Sequence, residues 1–121
     1  MIHVAALALA GALGTLARYA AGIAAVAAFG NAYPYGTYIV NIAGCFLFGT
    51  AAGIFANAST EWRTIFLTGF LGGFTTFSAF AFENYQFLER QQYVLFAVHC
   101  IGQNGLGIAA VLLGLAVCSA K

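Results

Sequence analysis

The chain has 121 residues, of which 63% are hydrophobic and only 6% are charged. A soluble domain carries about a quarter charged residues, so this composition and the mean hydropathy of +0.93 exclude a soluble fold and make the lipid bilayer the expected surroundings. The formal net charge is +1, without a basic cluster. This also excludes nucleic acid as a partner, because proteins bind it through several Lys and Arg contacts to phosphate.

The first apolar stretch is interpreted as a retained membrane helix, not as a cleaved secretory signal. Residues 1–17 contain no Lys or Arg, whereas a signal peptide begins with a positively charged region. The stretch also continues past Arg18 to about Phe29, which is longer than the apolar part of a signal peptide.

Four apolar stretches are long enough to cross a membrane, which takes roughly 20 mainly apolar residues. They cover residues 2–28, 35–56, 63–88 and 93–119. Aromatic side chains typical of a membrane interface stand near their ends, namely Tyr33, Tyr35, Trp62 and Tyr93. We therefore predict an all-α, multi-pass protein in which residues 1–121 form a single domain of four transmembrane helices.

The positive charges give no clear orientation in the membrane. With four crossings, one side holds Arg63 and Lys121, and the other holds Arg90, together with Arg18 if its side chain extends towards the loop. Lys and Arg are normally in excess on the cytoplasmic side. The balance therefore indicates either insertion in both orientations with antiparallel pairing, or a single orientation that another feature fixes.

Two pairs of glycines, each four residues apart, predict close contacts between helices. Gly49 and Gly53 lie in the second stretch, and Gly69 and Gly73 lie in the third. Small residues at this spacing let membrane helices approach closely. Most of these contacts are expected within one subunit.

The third stretch contains the strongest signal for irregular backbone, the run 69–80 with the sequence GFLGGFTTFSAF. Two glycines followed by two threonines favour a break in the helix, and such backbone is tolerated at membrane depth only where protein or a cavity surrounds it. The carbonyl groups that a break releases can coordinate a cation. The hydroxyls of Thr75, Thr76 and Ser78 can satisfy other backbone groups.

Polar side chains inside the predicted helices mark a candidate site, because such groups usually face a cavity or a partner. Thr37 and Asn41 share a face of the second helix, and His99 and Gln103 share a face of the fourth. Asn41 is either a donor in the site or a link between helices, and His99 is either a packing residue or a pore-lining one. Glu83 suits either the membrane interface near a helix end or the mouth of a pore.

Phe77 and Phe80 lie three residues apart, directly after the predicted break, and share one helix face. Phenylalanine at this depth ordinarily packs in a core or faces lipid. The edge of an aromatic ring is electropositive, however, so two ring edges beside the amide of Asn41 would also suit a small anion. A Lys or Arg in that place would hold the anion too tightly for conduction.

Three blocks of the sequence resemble the CrcB/Fluc family of fluoride channels. Residues 11–19 (GALGTLARY) are similar to its first-helix signature, and residues 34–44 (PYGTYIVNIAG) are similar to its second-helix block. Residues 69–80 resemble its Gly-Phe-x-Gly-Gly-x-Thr-Thr-Phe-Ser-x-Phe motif, the most specific of the three, with Glu83 also in place. Together with the four-helix layout, the resemblance covers essentially the whole chain.

The resemblance implies an antiparallel, dual-topology homodimer in the cell (inner) membrane, with the third helix broken mid-membrane and two ion pathways. A structural Na⁺ at the dimer interface would be held by the backbone carbonyls of Gly72 and Thr75 from both subunits. The implied function is passive, selective export of fluoride, which enters acidified cells as the neutral acid and dissociates inside them.

The resemblance also assigns residues to the fluoride pathway. Asn41 would be its amide donor, Phe77 and Phe80 its aromatic pair, and Arg18 and Glu83 its mouth. The other implied pathway residues are Thr37, Thr76, Ser78, His99 and Gln103.

Two positions depart from the family pattern. Ala79 stands where the family often has Thr, and His99 and Gln103 stand where the fourth helix usually supplies hydroxyl residues. These two side chains can still donate hydrogen bonds, and His99 would add sensitivity to pH.

Two other classes of protein are alternatives. Small multidrug resistance exporters also have four helices, but they need a carboxylate in the first helix, and none occurs here up to Phe29. A membrane scaffold subunit would move no ions in pure liposomes and would tolerate changes at Phe77 and Phe80. An enzyme is not expected, because the two side chains suited to acid–base work, Glu83 and His99, lie on different helices.

Overall fold

A computed structural model describes residues 2–119, and in it the apolar stretches of the sequence form four long helical segments. Each of the four is long and apolar enough to cross a membrane, so the predicted four-helix, all-α membrane architecture is confirmed. Lys121, one of the charges that bear on orientation, lies outside the described residues. The elements are α1 (Ile2–Phe29), α2 (Tyr35–Ile54), α3 (Thr60–Arg63), a π-helical segment (Thr64–Phe70), α4 (Leu71–Phe74), α5 (Phe77–Glu89) and α6 (Tyr93–Ser119).

The helix ends follow the local sequence closely. Gly30 has a φ of 79°, a left-handed conformation that glycine adopts without strain, and it ends α1. Ser59 precedes the third segment in an extended conformation, although its side chain makes no capping hydrogen bond. The third segment therefore begins at Thr60, three residues before the predicted start, and Glu61 lies in its first turn, where a negative charge is favourable.

The third segment, Thr60–Glu89, is not one continuous α-helix, although it bends by only 25°. Thr75 and Thr76 have extended backbone, with ψ angles of 161° and 112°, and they separate α4 from α5. The side chain of Thr76 accepts a hydrogen bond from the backbone nitrogen of Ala79 at 3.2 Å and so caps α5. This short interruption lies in the run 69–80 that the sequence marked as irregular, whereas a break of the helix in the middle of the membrane stays a prediction.

The helices pack in two pairs, α2 against α6 and α1 against the third segment. A Cβ atom at Gly49 would collide with the backbone carbonyl of Val111, and one at Gly73 would collide with that of Gly11. Glycines at these positions therefore allow the backbones to approach directly, as the small-residue spacing predicted.

The interior of the chain contains several polar side chains, while its surface is largely apolar. Large hydrophobic side chains are exposed along all four segments, as expected where lipid or another protein is the surroundings. Among the described residues, the largest fully buried side chains are Leu71, His99 and Val40, and the polar side chains of Asn84 and Gln103 are also buried. A histidine with no exposed surface at the centre of a membrane protein is a candidate for function.

Candidate functional site

Asn41 of α2 completes the hydrogen bonding of the interruption in the third segment. Its Nδ2 donates to the carbonyl oxygen of Thr76 at 3.1 Å, and its Oδ1 accepts from the backbone nitrogen of Thr76 at 2.9 Å. One side chain thus satisfies both backbone groups of a buried residue outside a helix, which would otherwise be unpaired. The hydroxyl of Ser78 lies 3.4 Å from that of Thr76, so all three residues form one cluster.

The interruption leaves several carbonyl groups without their usual helical donors, and those of Gly72 and Thr75 are among them. In a continuous helix, the N–H of Thr76 would donate to Gly72, and the N–H of Ala79 would donate to Thr75. Here Thr76 donates to Asn41, and Ala79 donates to the hydroxyl of Thr76. The carbonyl oxygens of Gly72 and Thr75, the predicted cation ligands, have therefore lost their usual helical donors.

Asn41 also connects the interruption to α6. Its Nδ2 donates to Oε1 of Gln103 at 2.9 Å, and Nε2 of Gln103 lies 3.1 Å and 3.0 Å from the two ring nitrogens of His99. Both donors of Asn41 therefore have acceptors within the chain. The link between helices is one of the two roles considered for this residue, and an anion bound at Asn41 would have to replace one of these acceptors.

His99 is completely buried, with 0% of its side chain exposed, and both of its ring nitrogens have partners on other elements. Nδ1 lies 2.8 Å from the hydroxyl of Tyr33, and Nε2 lies 2.8 Å from Oε2 of Glu83. The other carboxylate oxygen of Glu83 accepts a hydrogen bond from Thr37 at 2.6 Å. Glu83 and His99, which the sequence places on different helices, are therefore in direct contact.

Phe77 and Phe80 are in contact, with ring centroids 5.6 Å apart, but they have different surroundings. Phe80 is 8% exposed and stacks on the ring of His99, whereas Phe77 is 78% exposed. The shared helix face predicted from their spacing is present, but only Phe80 belongs to the interior of a single chain.

Two cavities meet at the interruption. One, of about 590 Å³, is bordered by both predicted mouth residues, Arg18 and Glu83. The other, of about 250 Å³, is bordered by Asn41 and by no charged side chain. Thr76 borders both cavities, and its hydrogen-bond partner Asn41 borders the smaller one. Further side chains on the larger cavity are Tyr33, Thr37, Val40 and Ala79, and on the smaller one Thr75, Phe77, Cys45 and Phe48.

Two residues of the site were not identified from the sequence. Tyr33 was interpreted as an interface aromatic, but it is half-buried and contacts His99, and the ring of Tyr38 also lies 5.9 Å from the imidazole. Tyr38 lies three residues before Asn41 on α2, and this spacing, which puts the two side chains on one face, is the signal that could have identified it. Tyr33 lies in a loop, where residue spacing does not indicate which way a side chain faces.

The environment of Tyr33 keeps its hydroxyl neutral. Burial, with smaller effects from Tyr38, Glu83 and Tyr35, raises the pKa of Tyr33 from 10.0 to about 12. A neutral hydroxyl both donates and accepts hydrogen bonds, so Tyr33 can pair with either protonation state of the imidazole nitrogen that it contacts.

Comparison with known proteins gives one consistent family. The family model described as "CrcB-like protein, Camphor Resistance (CrcB)" matches residues 5–115. A relative from Nitrosococcus oceani, named "Fluoride-specific ion channel FluC", is 50% identical over 117 residues, which cover 92% of this chain and 91% of the relative. Relatives of the same name from Rhizobium leguminosarum bv. trifolii and Nitratidesulfovibrio vulgaris are 44% identical (97% and 96% covered) and 48% identical (90% and 90% covered).

Proposed function

This chain belongs to the CrcB family, and from that membership we infer that it is a passive, selective fluoride channel and not an enzyme. The single observation in the structure that carries this inference is the hydrogen-bonded cluster of Asn41 and Thr76, in which Thr76 borders two cavities. The cluster offers neutral donors at the point where an ion crossing from one cavity to the other would lose its water.

The larger cavity is the entrance in this proposal. Arg18 supplies a positive charge there, and the hydroxyl of Thr37 is a donor beside it. Deeper in, the ion meets the amide of Asn41, whose Nδ2 exchanges its hydrogen bond to Oε1 of Gln103 for one to fluoride. A charged hydrogen-bond partner is stronger than a neutral one, so the exchange favours the fluoride complex.

Selectivity for fluoride over chloride follows from the size and the neutrality of these groups. Short donors such as hydroxyls and amides replace the water of a small anion best in a narrow passage. The smaller cavity has no charged side chain on its walls, so no ion is held there by a fixed positive charge. The ring edges of Phe77 and Phe80 add a weak positive potential.

We propose that two copies pair in opposite orientations, and the surface of the chain offers a place where a second copy can pack. Phe77 is largely exposed, Gly72 has open space beside it, and both lie at the interruption in the third segment. A second copy packed on this surface would surround the irregular backbone with protein, as membrane depth requires. We place the interruption near the middle of the membrane and the protein in the cell (inner) membrane, exporting fluoride.

The released carbonyls of Gly72 and Thr75 fit a hard cation such as Na⁺, which prefers oxygen ligands. Among the described residues, no group of three or more His, Cys, Asp or Glu side chains suits a metal ion, so carbonyl oxygens are the fitting ligands. Bound Na⁺ would neutralise carbonyl dipoles where two copies meet. We propose that it has this structural role only.

Ion efflux from liposomes that contain only the purified protein tests the proposed function. A fluoride electrode should record rapid fluoride release, and a chloride electrode should record retained chloride. Phe80→Ile should reduce fluoride release strongly, whereas Phe82→Ile, on the same helix but 59% exposed, should leave it close to the wild-type rate. Folded protein that releases neither ion would favour a scaffold subunit, and equal release of both ions would refute the selectivity.

A further inference from the structure

The contact between Glu83 and His99 is a feature that conduction of an anion does not by itself require. An ionised carboxylate beside the entrance cavity repels an approaching anion, and the repulsion is stronger where water is scarce. Glu83 has 18% of its side chain exposed and His99 has none. The pair therefore carries either a net negative charge or, with one additional proton, no net charge.

The hydrogen bonds around the pair are compatible with both charge states. With Glu83 ionised and His99 neutral, Thr37 and Nε2–H of His99 donate to the carboxylate, and the Tyr33 hydroxyl donates to Nδ1. A proton added at Nδ1 reverses that last bond, because Nδ1–H then donates to the oxygen of Tyr33. Nδ1 then no longer accepts from Nε2 of Gln103, which lies 3.1 Å away, so this amide nitrogen loses its acceptor on the ring. The hydrogen bonds that join the pair to Tyr33 and Thr37, and the one between Glu83 and His99, are kept.

A path for this proton is also present. Tyr33 and Glu83 both border the larger cavity, while His99 lies behind them without exposed surface. The hydroxyl of Tyr33 therefore stands between the water of the cavity and Nδ1 of His99. A hydroxyl in this place can pass a proton inwards by accepting one from water and donating its own.

The proposal rests on the proposed function. We propose that Glu83 and His99 form a site for one exchangeable proton beside the fluoride pathway, with Tyr33 as the positioning residue that holds the imidazole. The proton removes the net negative charge of the pair, and fluoride passes the protonated pair more readily than the deprotonated one. Because linkage is reciprocal, fluoride in the pathway also favours binding of the proton.

Other groups near the pair do not supply such a proton site. The titratable or charged side chains near the pair, among the described residues, are Tyr33 from the loop, Tyr35 and Tyr38 from α2, and Arg18 and Tyr19 from α1. Phenols and guanidinium groups ordinarily keep one charge state between about pH 6 and pH 8. A change in flux over that interval is therefore assigned to the pair.

Fluoride efflux from liposomes at equal internal and external pH tests the proposal. Flux through the wild-type channel should fall several-fold as the pH rises from about 6 to about 8, because loss of the proton leaves the pair with a net negative charge beside the pathway. In His99→Gln, which keeps hydrogen-bonding groups but cannot titrate, the profile should be flat at whatever rate remains. His3→Gln is the control, because Nε2 of His3 lies 3.2 Å from a carboxylate oxygen of Glu61 at the other end of the molecule. This variant should retain the wild-type pH profile.

A second measurement does not depend on the rate of His99→Gln. The chain has two histidines, so His3→Gln leaves His99 as the only signal in nitrogen NMR of labelled imidazole. At a fixed pH of about 7.5, sodium fluoride should increase the fraction of His99 imidazole rings that carry a proton on Nδ1. Sodium chloride should not.

The outcomes separate the two proposals. Selective fluoride flux with a flat wild-type profile, or with no effect of fluoride on Nδ1, overturns the proton site and leaves the channel intact. A pH profile that His99→Gln shares with the wild type also overturns it. If no fluoride flux occurs at any pH in folded protein, the channel function itself fails.

Discussion

Asn41 uses every hydrogen-bonding group of its amide within the chain. It pairs with both backbone groups of Thr76 and with the side chain of Gln103. A buried backbone group that loses its partner destabilises the protein by about 1–3 kcal/mol. The residue therefore affects both the shape of the interruption and the donors available to an ion.

Replacing this amide should reduce both flux and stability. In Asn41→Ser the shorter side chain reaches at most one of the Thr76 groups, so we expect fluoride flux to fall roughly tenfold or more, which corresponds to at least about 1.4 kcal/mol at the barrier. Asn104→Ser is the matched control, because Asn104 is exposed and bonds only to Cys100 of its own helix, at 2.7 Å. Wild-type flux in Asn41→Ser would remove the amide from the pathway.

At this same scale, sequence spacing identified pairs within a helix but not the contacts between helices. Thr37 with Asn41, and His99 with Gln103, were grouped correctly from a separation of four residues. The contact of Glu83 with His99 was not foreseen. Apolar residues cover both the inner and the outer faces of a membrane helix, so hydrophobic periodicity does not fix how each helix is rotated towards its neighbours.

At the scale of the helices, close backbone contacts set which faces meet. Gly114 of α6 lies against the backbone of Phe46 and Thr50 on α2, and a Cβ atom there would lie 2.8 Å from the nitrogen of Thr50. The sequence marked the small-residue pairs on the second and third stretches but not this partner on α6. A single glycine in an apolar run carries no spacing signal of its own.

A methyl group at this contact should destabilise the fold. We expect Gly114→Ala to lower the unfolding temperature in detergent, because overpacking a rigid backbone contact typically destabilises by about 1–3 kcal/mol. Gly105→Ala, on the same helix, has no atom within 4 Å of the added Cβ. It should leave the unfolding temperature unchanged or raise it slightly, since alanine favours helix over glycine by about 0.5–1 kcal/mol. Equal effects of the two substitutions would contradict direct backbone packing between α2 and α6.

In the third segment, too, the sequence marked one structural feature and missed another. Its interruption at Thr75 and Thr76 follows from local chemistry, because glycines weaken the helix and threonine side chains offer competing hydrogen bonds. The π-helical segment Thr64–Phe70 had no such signal. Local residues therefore marked the stretch in which Thr75 and Thr76 leave the helix, but they gave no sign of the π-helical segment, which packs against α1.

At the scale of the whole molecule, the few charges are divided between the two ends. Arg90 and Glu89 lie at the end that contains the Tyr33 loop, and Arg63 and Glu61 lie at the opposite end. The positive charges that normally fix orientation are thus nearly balanced among the described residues. If the active unit is an antiparallel pair, both orientations are needed, and this balance has a functional purpose.

Two charge-shifted variants test that requirement. Ala32→Lys with Gln92→Lys adds two positive charges to exposed loop positions at the Tyr33 end, and Ala56→Lys with Asn57→Lys adds two to exposed positions at the opposite end. These four positions line neither of the two cavities beside Thr76. Each variant should insert mainly with its added charges in the cytoplasm, and reporter fusions at the C-terminus should record opposite orientations.

Fluoride export by cells that produce these variants then distinguishes an antiparallel pair from a single-orientation channel. Either variant alone lacks a partner of the opposite orientation, so export should fall strongly. Production of both together should restore it, because each supplies the orientation that the other lacks. Full export by each variant alone, with reporters that confirm one orientation, would exclude the antiparallel dimer. It would also mean that the open surface at Phe77 and Gly72 is covered by lipid or by a parallel copy, and that another feature sets the orientation.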